Sequence, residues 1–155
     1  MSSHILVIRL SAMGDVAMTV PVLRAFSLQY PNVKIKVVSR PFFKPFFDDI
    51  ENITFFPIDL KERHKGFLGL LRLFSDLRKL NFDAVADLHN VLRSKIITTL
   101  FALNGKKVAA TDKGRQDKKA LTKLAIKTIS PTKTMFARHC ETFEKLGFQI
   151  DLNTP

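Results

Sequence analysis

Tryptophan is absent from this chain of 155 residues, and tyrosine and cysteine occur once each, as Tyr30 and Cys140. A lone cysteine excludes an internal disulfide, and with it the secreted scaffolds that need a covalent frame, so a reducing compartment is expected. Cys140 and the four scattered histidines, His4, His64, His89 and His139, fall at no metal-ligand spacing, so no metal site is expected. Without Trp, and with one Tyr, stacking on nucleic-acid bases would fall to phenylalanine. No apolar run is long enough to span a bilayer, and the four apolar residues between His4 and Arg9 are too few for an export signal. Glycine is scarce as well. Neither GxGxxG nor GxxxxGK[ST] occurs, so a P-loop is excluded and the dinucleotide-binding fingerprint is missing.

What is present is a hydrophobic fraction of 46% and a large basic excess, 25 Lys and Arg against 14 Asp and Glu, for a net charge of +11. Mean hydropathy is +0.05. These values fit one soluble globular domain with a real core. The charge is segregated: residues 60–127 hold sixteen basic and six acidic side chains, while the flanking segments are nearly balanced. A segregated excess suits an anionic partner such as a phosphorylated or acidic sugar, an anionic membrane surface or nucleic acid; the alternative is a solvated face that aids solubility.

Hydrophobic patterning alternates between periods. Residues 4–10 (HILVIRL) read as a buried strand. After the break at 11–15, residues 16–30 have helical spacing, with Pro21 expected to kink the helix or delay its start. Residues 33–39 and 53–58 read as strands two and three, separated by a short Phe-rich helix at 41–49. A helix follows the loop at 63–69 and runs to residue 80. Residues 82–88 read as strand four, 91–103 as a helix, and 106–111 as strand five. A basic loop (111–119), a helical stretch (120–129) and a final helix (135–146) complete the chain. Strands alternating with helices imply an α/β fold, a Rossmann-like mostly parallel sheet with helices on both faces. In such a sheet the ligand crevice lies beyond the carboxyl ends of the strands, here after strands one, four and five.

The segment Ser11-Ala12-Met13-Gly14-Asp15 occupies the first of these positions. Gly14 permits close backbone approach, and a helix N-terminus favours negative charge. Asp15 has two readings on chemistry alone: a helix cap, or a carboxylate that takes a proton from a substrate hydroxyl. The Phe42, Phe43, Phe46 and Phe47 cluster fits core packing better than a stacking platform. Cys140, adjacent to His139 on a helix, reads as a small buried apolar residue rather than half of a Cys–His pair.

These residues resemble a known family. Arg9 to Asp15, followed by Thr19 and Pro21, is similar to the opening of glycosyltransferase family 9, the heptosyltransferases of lipopolysaccharide core synthesis. The segment from Asp87 to Ser94 is similar to the family's Asp-x-Gln block, with His89 in place of Gln. Residues 138–147 resemble the helix that closes the family's first domain. The resemblance implies a GT-B architecture of two Rossmann-like domains, of which 1–155 is the single acceptor-binding domain and a C-terminal donor-binding domain lies outside this chain. It implies inverting, metal-independent transfer of heptose or a related sugar from a nucleotide-sugar, ADP-heptose, to an anionic glycolipid of the lipopolysaccharide core or lipid A. No cofactor is required beyond that donor substrate. Asp15 maps onto the proposed general base, and Ser11 and Gly14 onto the vicinity of the donor diphosphate. Arg93 maps onto a basic acceptor-binding position, with His89 and Ser94 beside it; Arg63, Lys65 and Arg115 belong to basic segments that would flank the acceptor. A cytoplasmic location with peripheral contact at the inner face of the membrane follows, and the chain alone is expected to be inactive. The rival readings are a stand-alone basic module for nucleic acid or another polyanion, and an NAD- or flavin-binding domain that lacks its glycine fingerprint.

Overall fold

A computed structural model describes residues 4–10, 13–111 and 135–151. Five parallel strands form one sheet in the order β3-β2-β1-β4-β5, with β1 (His4–Ile8) at its centre. Ile5, Leu6, Val7 and Ile8 of β1 are all buried, as the unbroken apolar run requires when helices cover both faces. Strands β2 (Lys34–Ser39) and β3 (Ile53–Pro57) lie to one side of β1, and β4 (Ala84–Asp87) and β5 (Lys107–Ala110) to the other. The pattern read from the sequence, a mostly parallel α/β sheet, is therefore present and fully parallel among the described residues.

Alternate residues of the strands feed two cores. Ile5, Val7, Val37 and Ala86 pack with α1 (Met13–Gln29), α4 (Met135–Lys145) and the 3₁₀ helix Pro41–Phe46. Phe26 of α1 meets Phe143 of α4 with ring centroids 5.0 Å apart. Leu6, Ile8 and Val85 face α2 (Gly66–Arg78) and α3 (Leu92–Leu103), where Phe74 and Phe101 meet edge to face at 4.9 Å. In the Phe-rich segment, Phe43 and Phe46 stack one 3₁₀ turn apart, Phe43 and Phe47 enter the core, and Phe42 is exposed.

Two details differ from the sequence reading. Helix α1 starts at Met13 and continues through Pro21. The proline removes one N–H, but Pro21 and Ala17, whose carbonyl loses that donor, are both exposed, so water can serve the carbonyl, while Val16, Val22, Leu23 and Phe26 hold the helix on the sheet. Second, Cys140 is only partly buried; burial, with Glu144 and Glu141 nearby, raises its thiol pKa. The basic loop and helical stretch expected within 112–129 lie outside the described residues.

The chain leaves β1 toward β2 on one side and returns to β4 on the other, so the carboxyl ends of β1 and β4 flank the switch point of the sheet. Register brings Ile8 beside Asp87 and Asp87 beside Ala110, so the segments after these three strands open at one level.

Candidate active site

Arg9 directly follows β1 and is enclosed by the crevice, with 7% of its side chain exposed. Its Nη2 lies 3.0 Å from Oδ2 of Asp15, whose carboxylate sits on the first turn of α1 and is 51% exposed. Nη1 donates to the carbonyl of Leu88, just beyond β4, at 3.0 Å. Burial lowers the Arg9 pKa, while Asp15 and then Asp87 oppose that effect by stabilising the cation. One guanidinium thus spans the switch point and answers two carboxylates, an open one on α1 and a buried one at the end of β4.

Asp87 builds the next turn. Its Oδ1 accepts the backbone N–H groups of His89 (3.0 Å) and Asn90 (2.8 Å), an Asx turn at the strand end. Asn90 has φ 52°, a conformation Asn tolerates, and its Nδ2 donates to the Thr111 carbonyl after β5 at 2.9 Å. His89 is buried, and its Nδ1 accepts the Leu10 N–H at 3.3 Å, which puts a neutral ring's proton on Nε2. The three strand ends are therefore joined by side-chain hydrogen bonds.

A second layer lies behind this one. Thr111 Oγ1 is 3.0 Å from His139 Nδ1 and 2.7 Å from Thr142 Oγ1, and Thr142 donates to the Arg138 carbonyl at 3.0 Å. With one proton per hydroxyl, the chain runs from His139 Nδ1–H through Thr111 and Thr142 to the carbonyl. The His139 pKa is pushed down to about 4, by burial first and then by the Arg9 cation, with Asp15 opposing. His139 is accordingly neutral at neutral pH.

Farther along the same edge, beyond β2 and β3, a cleft of about 740 Å³ is lined by Arg40, Phe42, Pro57, Leu60, Lys61 and Arg93, among others. Three cations and apolar surface there suit an anionic amphiphile. Beside it, Asp59 holds the 59–65 loop by accepting the N–H groups of Lys61 and Glu62.

The residues singled out from sequence have different fates. Asp15 and His89 meet at the switch point through Arg9, Leu10 and Leu88. Gly14 is exposed on the first turn of α1, with open space where a Cβ would lie. Arg93 is exposed at the start of α3 and lines the basic cleft. Ser94 is buried, and its hydroxyl accepts the Val91 N–H and donates to the Val91 carbonyl, both at 2.9 Å, so it is engaged in starting α3. Arg63 is held by a two-point pair with Asp76 of α2, at 2.9 and 2.7 Å, and Lys65 is exposed just before α2. Ser11 and Arg115 lie outside the described residues. Among the described residues, no three or more His, Cys, Asp or Glu side chains are grouped to hold a metal ion.

Two features escaped the sequence reading. Arg9 belongs to the opening motif, but its own signal is a cation embedded in an apolar run, which must find a buried partner. The Thr111–His139–Thr142 chain joins residues 28 or more positions apart and has no local signature.

No family model matches the chain. It is 29% identical over 92 residues to the lipopolysaccharide core heptosyltransferase OpsX of Haemophilus influenzae, covering 59% of this chain and 26% of that protein. Among solved structures, it is similar to the E. coli heptosyltransferase WaaC with ADP-2-deoxy-2-fluoro heptose, at TM-score 0.69 and 20% identity over 98% of this chain and 50% of that one. A glycosyltransferase of family 9 from Veillonella parvula gives TM-score 0.67 and 21% identity, covering 94% of this chain and 42% of that one. E. coli ADP-heptose lps heptosyltransferase II gives 26% identity and TM-score 0.52, covering 69% of this chain and 30% of that one. The chain thus spans about a quarter of that curated relative and half or less of these structures. The resemblance first carried by the three sequence blocks extends to the fold, that of the GT-B heptosyltransferases.

Proposed function

We propose that this chain, similar to glycosyltransferase family 9 in sequence and fold, is the acceptor-binding half of an inverting, metal-independent glycosyltransferase. It serves the transfer of heptose or a related sugar from a nucleotide-sugar, ADP-heptose, to an anionic glycolipid acceptor of the lipopolysaccharide core or lipid A. The observation that carries this reading is Asp15: a half-exposed carboxylate at the switch point, tied to a buried arginine 3.0 Å away, on the edge that also bears the Arg40–Lys61–Arg93 cleft.

The chemistry follows from that placement. An acceptor hydroxyl donates a hydrogen bond to the Asp15 carboxylate. As its oxygen bonds to the anomeric carbon of the donor, the hydroxyl acidifies and its proton passes to Asp15, so a weak base suffices. The bond from the anomeric carbon to the diphosphate oxygen breaks, and its electron pair leaves with the nucleoside diphosphate. Attack opposite the leaving group inverts the centre. Ser11 and Gly14 serve the donor diphosphate, and a second domain supplies most of the donor contacts, so this chain by itself is inactive. Arg93 can grip a phosphate or sugar-acid carboxylate at two points, with Arg40, Lys61 and Lys65 adding charge. The exposed Phe42, Phe67 and Leu92 and these cations suit peripheral contact with the cytoplasmic face of an anionic membrane.

In the transfer-competent two-domain protein, Asp15→Asn should lower kcat by about 10²–10⁴-fold while leaving acceptor affinity and the fold unchanged. Steady-state kinetics with an equilibrium acceptor-binding measurement provide the check. Activity close to that of the parent removes Asp15 as the base.

A further inference from the structure

We propose that Arg9 is the positioning residue that holds the Asp15 carboxylate in its reactive place, an inference that rests on the reading of Asp15 as the base. The argument begins with cost. A guanidinium enclosed at the end of a central strand loses hydration that one exposed carboxylate does not restore in full. Among the described residues, the buried Arg9 Nε has no hydrogen-bond partner. Core packing alone would place an aliphatic residue here, as it does at Ile5, Leu6, Val7, Ile8 and Leu10.

What the cation achieves is geometric. Asp15 stands on the exposed first turn of α1, beside open space at Gly14, where a short side chain could adopt several rotamers. Arg9 restricts it. Nη2 takes Oδ2 at 3.0 Å and, among the described residues, leaves Oδ1 for a substrate hydroxyl, while Nη1 is anchored on the Leu88 carbonyl of the adjoining strand end. The arginine cannot follow Asp15 outward, because its other hand is held by the main chain. Asp87 supports the cation from β4, and His139 faces it from α4 as a neutral ring. Misplacing a reacting group by about 1 Å can cost about 10²-fold in rate, which sets the scale of the effect.

The test joins kinetics to a spectroscopic signature. In the transfer-competent protein, Arg9→Met should lower kcat by about 10²-fold with KM for both substrates nearly unchanged, and Arg9→Lys should recover about a tenfold share. The Arg9→Met and Asp15→Asn losses should not add in the double variant, since both remove one device. In this chain alone, the Arg9 Nη2 signal in ¹⁵N NMR should be distinct from Nη1 and should move on Asp15→Ala, with the melting temperature recorded alongside. Arg9→Lys matters because Arg9→Met can fail to fold. A stable Arg9→Lys protein with no more activity than a folded Arg9→Met protein, a defect confined to KM, or additive losses would overturn the proposal. A normal Nη2 signature together with an active Asp15→Asn enzyme would instead remove the reading of Asp15 as base, so the two failures are distinguishable.

Discussion

At the scale of single residues, the crevice keeps one histidine neutral next to a cation, and that has a measurable consequence. His139 titrates at about 4 in the native protein, while an unfolded chain protonates a histidine near 6.5. Between those values the unfolded state binds a proton that the native state refuses. Stability should therefore be unaffected by His139 above about pH 7 and fall as pH drops from about 6.5 to about 4, by up to about 3 kcal/mol. Urea denaturation across this window checks it. His139→Gln should show a shallower acid loss than the parent, and equal slopes would mean that other groups carry the pH dependence. Ser94 and Arg63 teach a second lesson at this scale. Sequence named both as acceptor contacts, but whether a polar side chain is free to bind depends on whether the fold has already occupied it. Ser94 is buried and engaged at the start of α3, whereas Arg63 and Asp15, each already in an ion pair, and Arg93 retain exposed surface.

At the scale of elements, the segment joining β3 to α2 is pinned at both ends. Asp59 organises its turn, His64 accepts the Asp59 N–H at 2.9 Å, and Asp76 of α2 receives His64 Nε2 at 3.0 Å together with Arg63. A Cβ on Gly69 would collide with the His64 carbonyl group, so the helix and the loop touch backbone to backbone. The Arg63 pair chiefly, with His64 adding, holds the Asp76 carboxyl at about 2 against the opposing pull of desolvation. Its pKa is depressed, so the stabilisation is present above the unfolded value near 3.8 and is lost as pH falls toward about 2. Asp76→Asn should cost about 1–2 kcal/mol at neutral pH, after allowance for the exposure of Arg63, and the gap should close in strong acid. Chemical denaturation of both proteins at neutral and acid pH measures it. Element order among the described residues was legible from pattern, because short apolar runs alternate with longer apolar-polar segments; most boundaries agree within two residues, but the 3₁₀ helix ends three residues earlier and α2 starts about four residues earlier than read. The start of α1 was not legible, because a proline on an exposed face leaves its orphaned carbonyl to water.

At the scale of the whole molecule, net charge and sheet order act together. The +11 charge gives a long-range attraction to anions, while the cleft with Arg40, Lys61 and Arg93 gives a local place to hold one. An anionic glycolipid should therefore bind more weakly as salt is raised, and Arg93→Ala should weaken it further at every salt concentration, by about tenfold. Titration calorimetry at several ionic strengths tests both parts. Oligonucleotides should show the salt effect alone, with little dependence on Arg93, if the cleft rather than bulk charge selects the ligand.

By itself the sequence determined the fold class, the edge at which to look and the candidate carboxylate, since hydrophobic period, glycine placement and the Arg9–Asp15 block are local properties of the chain. Tertiary structure alone decided which charges are paired and which are open. Arg9 reaches Leu88 and the field of Asp87 because a parallel sheet brings distant strand ends to one level, and Thr111 reaches His139 and Thr142 because α4 packs against those strands. Pairing and burial depend on distances through space, and these exist only once the strands have packed.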